Sequence, residues 1–395
     1  MTIQLSNRVQ QVKPSPTLAI TAKAAELRAQ GKNIIGLGAG EPDFDTPDHI
    51  KDGGIKAIQN GQTRYTPVDG TPDLKKAIIE KFKTDNGLDY EMNQVMVSCG
   101  GKQTFYNLAQ AILNDGDEVI IPAPYWVSYP DMTLLAGGVP VIVEAGKDQN
   151  YKITPEQLEA AITDKTKLFV INSPSNPSGV AYTAEELKAL AEVLLKYPQV
   201  VIATDDMYEK IWWMDEPFSN ILMVCPELYE RTMVLNGVSK AYAMTGWRIG
   251  YIAGPAAIVG AMKKIQSQST SNPAAMSQAA AVTAMTGDQG CIDPMLKAFK
   301  ERHDFVYNKV NSIKGLSCIE SDGTFYTFVY AQEAIDYLEG INNDLDLAAY
   351  LLEDAEVAIV PGSAFGLEGY FRMSYATSMD NLVEALERIE KALNK

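Results

Sequence analysis

The sequence predicts an α/β protein: a large domain with a mostly parallel seven-stranded sheet and flanking helices, and a smaller α+β domain built from both termini. The first observation is that short, β-rich apolar runs alternate with helical stretches through the middle of the chain. The second is that this alternation stops after about residue 290, where a long polar helical pattern and short strands follow. A chain of 395 residues is long enough to bury one large core and a second lobe.

Seven runs in the middle of the chain have the composition of strands. Several are continuously apolar, which is typical of strands that helices cover on both faces. A helical pattern at 183–196 separates two of them, and strands that alternate with helices favour a largely parallel sheet. The seven predicted strands span residues 94–99, 118–122, 139–144, 168–172, 200–204, 233–236 and 249–253.

The two ends of the chain predict the smaller domain. An N-terminal arm at 1–16 closes with a Pro-Ser-Pro break, and a helix at 22–30 follows it. We expect this segment to pack beside the C-terminal lobe, so that 17–47 and 291–395 form the small domain and 48–290 the large domain. The C-terminal lobe is predicted to contain helices at 293–313, 345–353 and 379–393 and strands at 316–319 and 325–329.

Composition and charge argue against several classes of function. The formal net charge of −16 opposes binding to nucleic acid or to anionic membranes. The two histidines and four widely spaced cysteines show no metal-ligand pattern, so we expect no metal, and free thiols in a reducing compartment. The N-terminus lacks the apolar core of a signal peptide and no run is long enough to span a membrane, which predicts a cytoplasmic protein.

Chemically informative residues follow four of the predicted strands. Ligands of open α/β sheets bind beyond the carboxyl ends of the strands. Gly100 and Gly101 precede a predicted helix at 103–113, where N–H groups and the helix dipole favour a phosphate, although a tight turn also explains paired glycines. Asn176 lies in a Pro- and Gly-containing loop at 172–179 and can donate a hydrogen bond, or simply cap the turn.

The other two strand ends carry the ionisable groups. Asp205 and Tyr208 can contact opposite edges of one bound ring, although an Asp here also serves as a helix N-cap. Lys240 follows a buried strand, where desolvation lowers the pKa of its ammonium group and leaves a neutral amine as a nucleophile. Arg248, eight residues later, has the planar guanidinium that binds phosphate.

These residues fall in segments that resemble motifs of the class I/II, fold-type-I pyridoxal-phosphate aminotransferases, in particular the bacterial branch of the aspartate-aminotransferase-like enzymes. The segment 237–248 resembles the Schiff-base signature of that family. The resemblance runs from about residue 10 to the C-terminus, and its motifs follow the family's order. The other matching segments are 38–44, 65–67, 101–103, 124–126, 176–179, 205–208 and 371–375.

The resemblance implies a pyridoxal 5′-phosphate cofactor and a role for each residue around its ring. Lys240 would form the Schiff base and carry the proton between the substrate Cα and the cofactor, and Asp205 would pair with the pyridine nitrogen. Tyr208 and Asn176 would hydrogen-bond the 3-oxygen of the ring, and Trp126 would stack on its face. Trp126 and Asn176 would also border the substrate.

The phosphate group of the cofactor has its own implied ligands. Arg248 and the backbone around Gly101 and Lys102 would hold it, with Ser239 beside them. In this family Tyr65 reaches the phosphate of the neighbouring subunit, which implies a homodimer with its active sites at the interface.

The resemblance also implies the substrates, which are amino acids and 2-oxo acids that exchange an amino group by a ping-pong mechanism. Arg372 would bind the α-carboxylate next to the backbone of Gly40, with the small domain closing over it. Lys102 and Ser15 match positions near the distal carboxylate in the bacterial branch, and favour aspartate or glutamate with 2-oxoglutarate or oxaloacetate. An exposed lysine in a first helical turn and an ordinary turn serine are the alternatives for these two positions.

Two segments depart from the family pattern. Asp206 stands where the family usually has Glu, next to the Asp205 that would face the ring. The segment 321–326 replaces a Pro-containing approach to its strand and leaves the fine specificity of the pocket open.

Other functions are compatible with parts of this pattern. Related folds transaminate aromatic amino acids, alanine or prephenate, and some catalyse β-elimination or ring closure as lyases. The glycines at 36–40 suggest a nicotinamide dehydrogenase, but their spacing is wrong, and Pro42 and Pro47 stand where a helix should open. A binding or regulatory protein that keeps the cofactor without turnover would need an additional module, and we expect none in this chain.

Overall fold

A seven-stranded sheet lies at the centre of the larger part of the chain in the computed structural model, which describes residues 3–12, 14 and 16–394. In chain order, the strands of the described residues are β1 (Ile35–Gly36), β2 (Val95–Ser98), β3 (Glu118–Ala123), β4 (Val139–Glu144), β5 (Thr166–Asn172), β6 (Val201–Asp205), β7 (Thr232–Gly237), β8 (Gly250–Ala253), β9 (Tyr326–Tyr330), β10 (Val357–Ala358), β11 (Val360–Pro361) and β12 (Tyr370–Ser374).

Helices flank these strands, and their ends follow local sequence signals. At the start of the helix that begins at Ala184, Thr183 Oγ1 accepts a hydrogen bond from Glu186 N, and Glu186 Oε2 accepts one from Thr183 N, which satisfies two free donors of the first turn. The α-helices of the described residues are α1 (Asn7–Gln11), α2 (Pro16–Ala29), α3 (Asp48–Gln59), α4 (Pro72–Asn86), α5 (Gly101–Ile112), α6 (Ser128–Leu135), α7 (Pro155–Ala161), α8 (Ala184–Leu195), α9 (Ile221–Val224), α10 (Ala256–Ser267), α11 (Ala275–Thr286), α12 (Asp293–Ser312), α13 (Gln332–Tyr337), α14 (Asp344–Asp354) and α15 (Met379–Leu393).

The central sheet has the strand order β2-β8-β7-β6-β5-β3-β4. β8 runs antiparallel to β2 and β7, and the other neighbours pair in parallel, so the predicted mostly parallel sheet is confirmed. Each of the seven strands predicted for this sheet is present, with both ends within two residues of the prediction. Because β5, β6 and β7 are parallel neighbours, their carboxyl ends lie side by side at one edge of the sheet.

Helices cover both faces of the sheet, which explains why strand β5 is continuously apolar. Phe169 and Ile171 belong to the core on one face, and Leu168 and Val170 belong to the core on the other. Successive strand residues point to opposite faces, so a strand between two helical layers buries both sets. Burying one such side chain stabilises the fold by roughly 1.5–3 kcal/mol, and a polar residue at any of these positions would be costly.

The N-terminal and C-terminal parts of the chain form two smaller sheets. β11, β12 and β9 form an antiparallel sheet in that order, and β1 pairs in parallel with β10. Ala24 and Leu27 of α2 pack with Ile34, Leu352 and Ala358, so the N-terminal segment lies beside the C-terminal lobe as predicted. The proposed division at residues 16, 47 and 290 stays a prediction. None of the described helices is long and apolar enough to cross a membrane.

The predicted strand at 316–319 is wrong. Only a single bridge forms there, in which Ser317 exchanges backbone hydrogen bonds with Tyr330. The next residue, Cys318, donates its N–H to the side chain of Asn311 instead of to a strand. Leu316 and Cys318 are buried, as alternate residues of a half-buried strand would be, but the side chain of Asn311 on α12 takes the place of a second strand partner.

Candidate active site

A cavity of about 460 Å³ opens beyond the carboxyl ends of β5, β6 and β7. Its volume falls within the range of roughly 300–1,000 Å³ that is usual for small-molecule sites. Most of the residues predicted for the site line this cavity, although they come from widely separated parts of the chain. These are Gly40, Gly101, Lys102, Trp126, Asn176, Asp205, Tyr208, Ser239, Lys240, Arg248 and Arg372.

The two remaining predicted site residues are Tyr65 and Ser15. Tyr65 does not line the cavity, and its side chain is 92% exposed to solvent. Its predicted contact with a second subunit therefore stays a prediction. Ser15 lies outside the described residues.

Lys240 lies three residues past the end of β7, at the floor of the cavity. Its Nζ donates a hydrogen bond to the backbone oxygen of Gly40, which comes from the opposite wall. Burial, followed by the positive charge of Arg372, lowers the pKa of Lys240 from 10.5 to about 8, and the carboxylate of Glu41 opposes this shift. A substantial fraction of the amine is therefore neutral, and nucleophilic, near physiological pH.

Asp205 ends strand β6 and is the register partner of Asn172 on β5. Its side chain is buried, with Oδ2 accepting a 2.5 Å hydrogen bond from the hydroxyl of Tyr129 and Oδ1 accepting one from Met207 N at 3.3 Å. Burial raises the pKa of Asp205, and these two hydrogen bonds oppose the rise. The result is a fixed carboxyl group whose remaining lone pairs are available at the cavity.

Asp206 has a different environment, although it is adjacent in sequence. It is fully buried, does not line the cavity, and accepts hydrogen bonds from Thr204 Oγ1 at 2.7 Å and Asn220 Nδ2 at 2.6 Å. Burial and the nearby charge of Glu209 raise the pKa of Asp206 to about 7. Of the two acidic residues, Asp205 is the one placed to meet a ligand.

Arg372, on β12, is a buried cation. Its Nη1 donates to Asn176 Oδ1 at 2.9 Å and its Nη2 to the backbone oxygen of Gly38 at 2.8 Å. The guanidinium lies over the rings of Tyr326 and Phe365, 4.4 and 5.0 Å from their centroids. Within the part of the chain that the structure describes, no acidic side chain pairs with it, and its buried Nε has no hydrogen-bond partner.

A buried charge without a counter-ion is costly unless a ligand supplies one. Arg372 lines the cavity, two aromatic rings lie against its guanidinium, and its Nε is buried without a hydrogen-bond partner. This geometry suits bidentate recognition of a carboxylate.

The turn between β2 and α5 brings a second positive site to the cavity. Gly100 has φ +88°, and a Cβ at this position would lie 2.3 Å from Arg248 Nη2. The same turn packs against Gly250, where a Cβ would lie 2.4 Å from Gly101 N. Glycine is therefore required at these positions, and the free N–H groups of the first turn of α5 lie next to the Arg248 guanidinium, as an anion site requires.

Lys102 and Trp126 form another wall of the cavity. Lys102 Nζ lies 5.4 Å from the Trp126 ring centroid. Partial burial, followed by the charge of Arg248, lowers the pKa of Lys102. The edge of Trp126 meets the ring of Tyr129 with centroids 5.2 Å apart, which holds the indole plane.

Several cavity residues were not singled out from the sequence. The buried hydroxyl of Tyr326 lies 3.2 Å from that of Tyr208, and burial and this contact raise the pKa of Tyr208. Glu41 accepts a 2.8 Å hydrogen bond from Thr245 at the cavity wall. Tyr326 and Glu41 lie inside the segments 321–326 and 38–44 that the sequence had marked, so those segments were the available signal. Among the described residues, no group of His, Cys, Asp or Glu is placed to hold a metal ion.

Comparison with known proteins identifies relatives along the whole chain. Residues 32–389 match the family described as aminotransferase class I and II. The chain is 60% identical over 397 residues to the aspartate/prephenate aminotransferase of Nitrosomonas europaea, which covers 99% of this chain and 100% of that protein. It is 54% identical over 390 residues to the aspartate/prephenate aminotransferase of Cereibacter sphaeroides, with 98% of each chain covered.

Solved structures show the same relationship. The aspartate aminotransferase of Rhizobium meliloti matches with a TM-score of 0.96 and 48% identity, covering 100% of this chain and 99% of that one. The Thermus thermophilus aspartate aminotransferase with maleate matches with a TM-score of 0.93 and 41% identity, covering 99% and 100%. These likenesses confirm the predicted fold type. The chain therefore belongs to the class I and II aminotransferase family.

Proposed function

We propose that this chain is a pyridoxal-phosphate-dependent aminotransferase that exchanges an amino group between aspartate or glutamate and 2-oxoglutarate or oxaloacetate. The proposal rests on one observation above all: Lys240, Asp205 and Arg372 meet in a single cavity. They supply a nucleophilic amine, a buried carboxyl group and a buried guanidinium that lacks an acidic partner among the described residues. Membership in the aminotransferase family supports the same reaction class.

The residues around the cavity fit pyridoxal phosphate. The N-terminus of α5 and the Arg248 guanidinium form an anion site that suits the phosphate. The two groups can lie close together because Gly100 has no side chain. Ser239, 5% exposed, lies on the same wall. Asp205 suits the pyridine nitrogen, because its carboxyl group is held by Tyr129 and by a backbone N–H but keeps lone pairs for a ligand.

When bound, pyridoxal phosphate supplies an aldehyde that bonds covalently to amines and a ring that accepts the electron pair released at the substrate Cα. Lys240, whose pKa of about 8 leaves part of its Nζ neutral, would hold the cofactor through its aldehyde carbon, and once the substrate amine has taken its place there the released Nζ would take the proton from the substrate Cα. Tyr208 and Asn176 place a hydroxyl and an amide at the cavity, where they orient the ring oxygen and Trp126 orients the ring plane.

Substrate recognition follows from the two remaining cations. Arg372 would bind the α-carboxylate through its guanidinium, close to the backbone of Gly40. Lys102 reaches the cavity from the first turn of α5. It would meet the distal carboxylate of aspartate or glutamate, a role that Ser15 would share. Closure of the small domain over the substrate would exclude water from both carboxylates.

Prephenate is a second candidate substrate. The relatives at 60% and 54% identity are named aspartate/prephenate aminotransferases. Prephenate also carries a second carboxylate, so Lys102 would serve either substrate and does not discriminate between them.

We further propose a homodimer in which Tyr65 completes the phosphate site of the neighbouring subunit. The exposed ring of Tyr65 and the exposed side chains of Ile55 and Ile58 on α3 (92%, 50% and 53%) support an interface on this side of the molecule. A cytoplasmic location is also proposed, because all four cysteines are free thiols.

The experiment that tests the proposal is the half-reaction with L-aspartate. Purified protein reconstituted with pyridoxal phosphate, without any 2-oxo acid, should convert one aspartate per site into oxaloacetate, with loss of the visible absorption band of the bound cofactor. Lys240→Ala should form no oxaloacetate, whereas Lys297→Ala, at an 80% exposed side chain far from the cavity, should behave like wild type. A reconstituted wild type that leaves aspartate unchanged but consumes prephenate with glutamate would replace the aspartate assignment. The absence of a cofactor band would contradict the role of Lys240.

A further inference from the structure

The segment 321–323 joins the two parts of the chain that hold the carboxylate site. On one side, Asp322 Oδ2 accepts a 2.7 Å hydrogen bond from Ala181 N, and the N–H groups of Asp322 and Gly323 both donate to Gly179 O, at 3.0 and 3.1 Å. These bonds attach the segment to the loop that follows β5. On the other side, the segment leads directly into β9, which pairs with β12, the strand of Arg372.

The loop held in this way is the one that carries Asn176. Its base is closed by hydrogen bonds from Ser175 N to Val180 O at 2.9 Å and from Gly179 N to Ser175 O at 2.8 Å. Ala181, whose N–H binds Asp322, is the residue directly after this base. Asp322 is therefore one of the groups that hold this loop, together with the backbone bonds to Gly179 O and the bond from Asn176 N to Asn172 Oδ1. It contributes in this way to the position of the Asn176 amide, whose oxygen accepts a hydrogen bond from Arg372.

Ser321 makes contacts that a proline at its position could not make. Its N–H donates to His303 Nε2 at 3.0 Å, and its hydroxyl lies 3.2 Å from both Ser178 O and Tyr326 O. Proline has neither an N–H nor a hydroxyl. The contact with Gly179 is close, since a Cβ on that residue, which has φ +74°, would lie 2.6 Å from Ser321 Oγ.

We propose that Asp322 is a positioning residue of the substrate carboxylate site: by fixing the 175–181 loop to β9, it holds Asn176 against Arg372 and so orients the guanidinium toward the carboxylate. This inference rests on the proposed aminotransferase function. Asp322 does not line the cavity and touches no substrate. Its effect passes through the Ala181 N–H, Asn176 and Arg372, in that order.

The test compares Asp322→Ala, Asp322→Asn and a matched control, Asp117→Ala, in the reconstituted enzyme. Asp117 Oδ2 also accepts a hydrogen bond from a backbone N–H in a turn, that of Asn114 at 2.8 Å, but it directly precedes β3 and so lies at the amino ends of the parallel strands, whereas the cavity lies beyond their carboxyl ends. The measurements are kcat and KM for L-aspartate and the Kd of maleate, an unreactive dicarboxylate. Asp322→Asn keeps an oxygen that accepts the Ala181 N–H, so it should restore what Asp322→Ala loses.

For Asp322→Ala we expect KM and the maleate Kd to increase about tenfold, which corresponds to about 1.4 kcal/mol, with kcat changed by less than about threefold. Asp322→Asn and Asp117→Ala should stay within about twofold of wild type. Unchanged maleate binding in Asp322→Ala would overturn the proposal, and so would an equal loss in Asp322→Asn or a loss of kcat alone.

A second variant and the use of maleate make every outcome of the test interpretable. If Asp322→Ala does not fold, Ser321→Ala removes the hydroxyl that lies 3.2 Å from both Ser178 O and Tyr326 O, and so loosens the same attachment between the loop and β9. A maleate Kd increased about two- to threefold then supports the proposal, whereas an unchanged Kd overturns it. Maleate binding needs no turnover. A wild type without transamination would therefore reject the proposed function, while the response of the maleate Kd still decides the role of Asp322.

Discussion

The pKa of Lys240 is a property that two substitutions should move in opposite directions. Burial and the charge of Arg372 lower it from 10.5 to about 8, and Glu41 opposes this. The shift corresponds to about 3 kcal/mol in favour of the neutral amine. At pH 7.5 the neutral fraction is therefore roughly two hundred times that of an ordinary lysine.

Arg372→Met removes the second-largest cause of the shift. We expect the pKa of Lys240 to rise by about one unit, the size typical of one neighbouring charge at a partly buried site. Glu41→Gln removes the opposing negative charge, so the pKa should fall below that of the wild type. Burial, the largest cause, is unaffected by either substitution, and neither variant should return the lysine to its ordinary value.

The assay is the pH dependence of Lys240 labelling by an amine-reactive reagent in the cofactor-free protein, with the labelled peptide quantified by mass spectrometry. Lys297, with an 80% exposed side chain, is the internal reference, and its labelling should be the same in all three proteins. A wild-type midpoint near 10.5 would refute the effect of burial. Equal midpoints in wild type and Arg372→Met would refute the electrostatic coupling across the cavity.

Three further predictions concern the anion site, the buried histidine and Asp205. Gly100→Ala should weaken pyridoxal-phosphate binding at least about tenfold, because its Cβ would displace Arg248, whereas Gly116→Ala, at a similar φ of +90° but with no atom within 4 Å, should bind normally; fluorescence titration measures both. Burial lowers the pKa of His303 from 6.5, so as pH falls the unfolded chain takes up a proton first and the free energy of unfolding decreases below pH 6.5. In His303→Gln this part of the decrease should vanish in urea titrations at pH 7 and pH 5, and identical decreases would contradict the assignment. Tyr129→Phe removes the 2.5 Å hydrogen bond to Asp205 and should reduce kcat roughly tenfold with the cofactor retained; an unchanged kcat would show that the carboxyl group needs no such support.

Much of the fold could be predicted from the local pattern of apolar and polar residues. The seven strands of the central sheet were predicted within two residues, because a strand buried on both faces is a continuous apolar run. The predicted C-terminal helix at 379–393 matches α15. The prediction of a strand at 316–319 was wrong because the backbone N–H of Cys318 donates to the side chain of Asn311. No local sequence pattern indicates such a partner.

Most residues of the candidate site could also be predicted from the sequence, because they follow the ends of predicted strands. Asp205 is the last residue of β6 and Lys240 lies three residues past the end of β7, and because these two strands are parallel neighbours the order of the sheet brings both residues to the same side. The contacts that hold the site residues and shift their pKa values could not be predicted from the sequence. Tyr129 is 76 positions from Asp205, and Tyr326 is 118 positions from Tyr208.

The sequence by itself determined the alternation of strands and helices, the glycines of the turn between β2 and α5, and which residue types stand at the strand ends, because these depend on neighbours along the chain. Only the tertiary structure decided that Arg372 meets Asn176 across 196 positions, that Asp206 turns away from the cavity, and that Asp322 holds the Asn176 loop. The physical reason is that desolvation and hydrogen bonding act through space, so the pKa of Lys240 and the orientation of Arg372 exist only once distant segments have packed together.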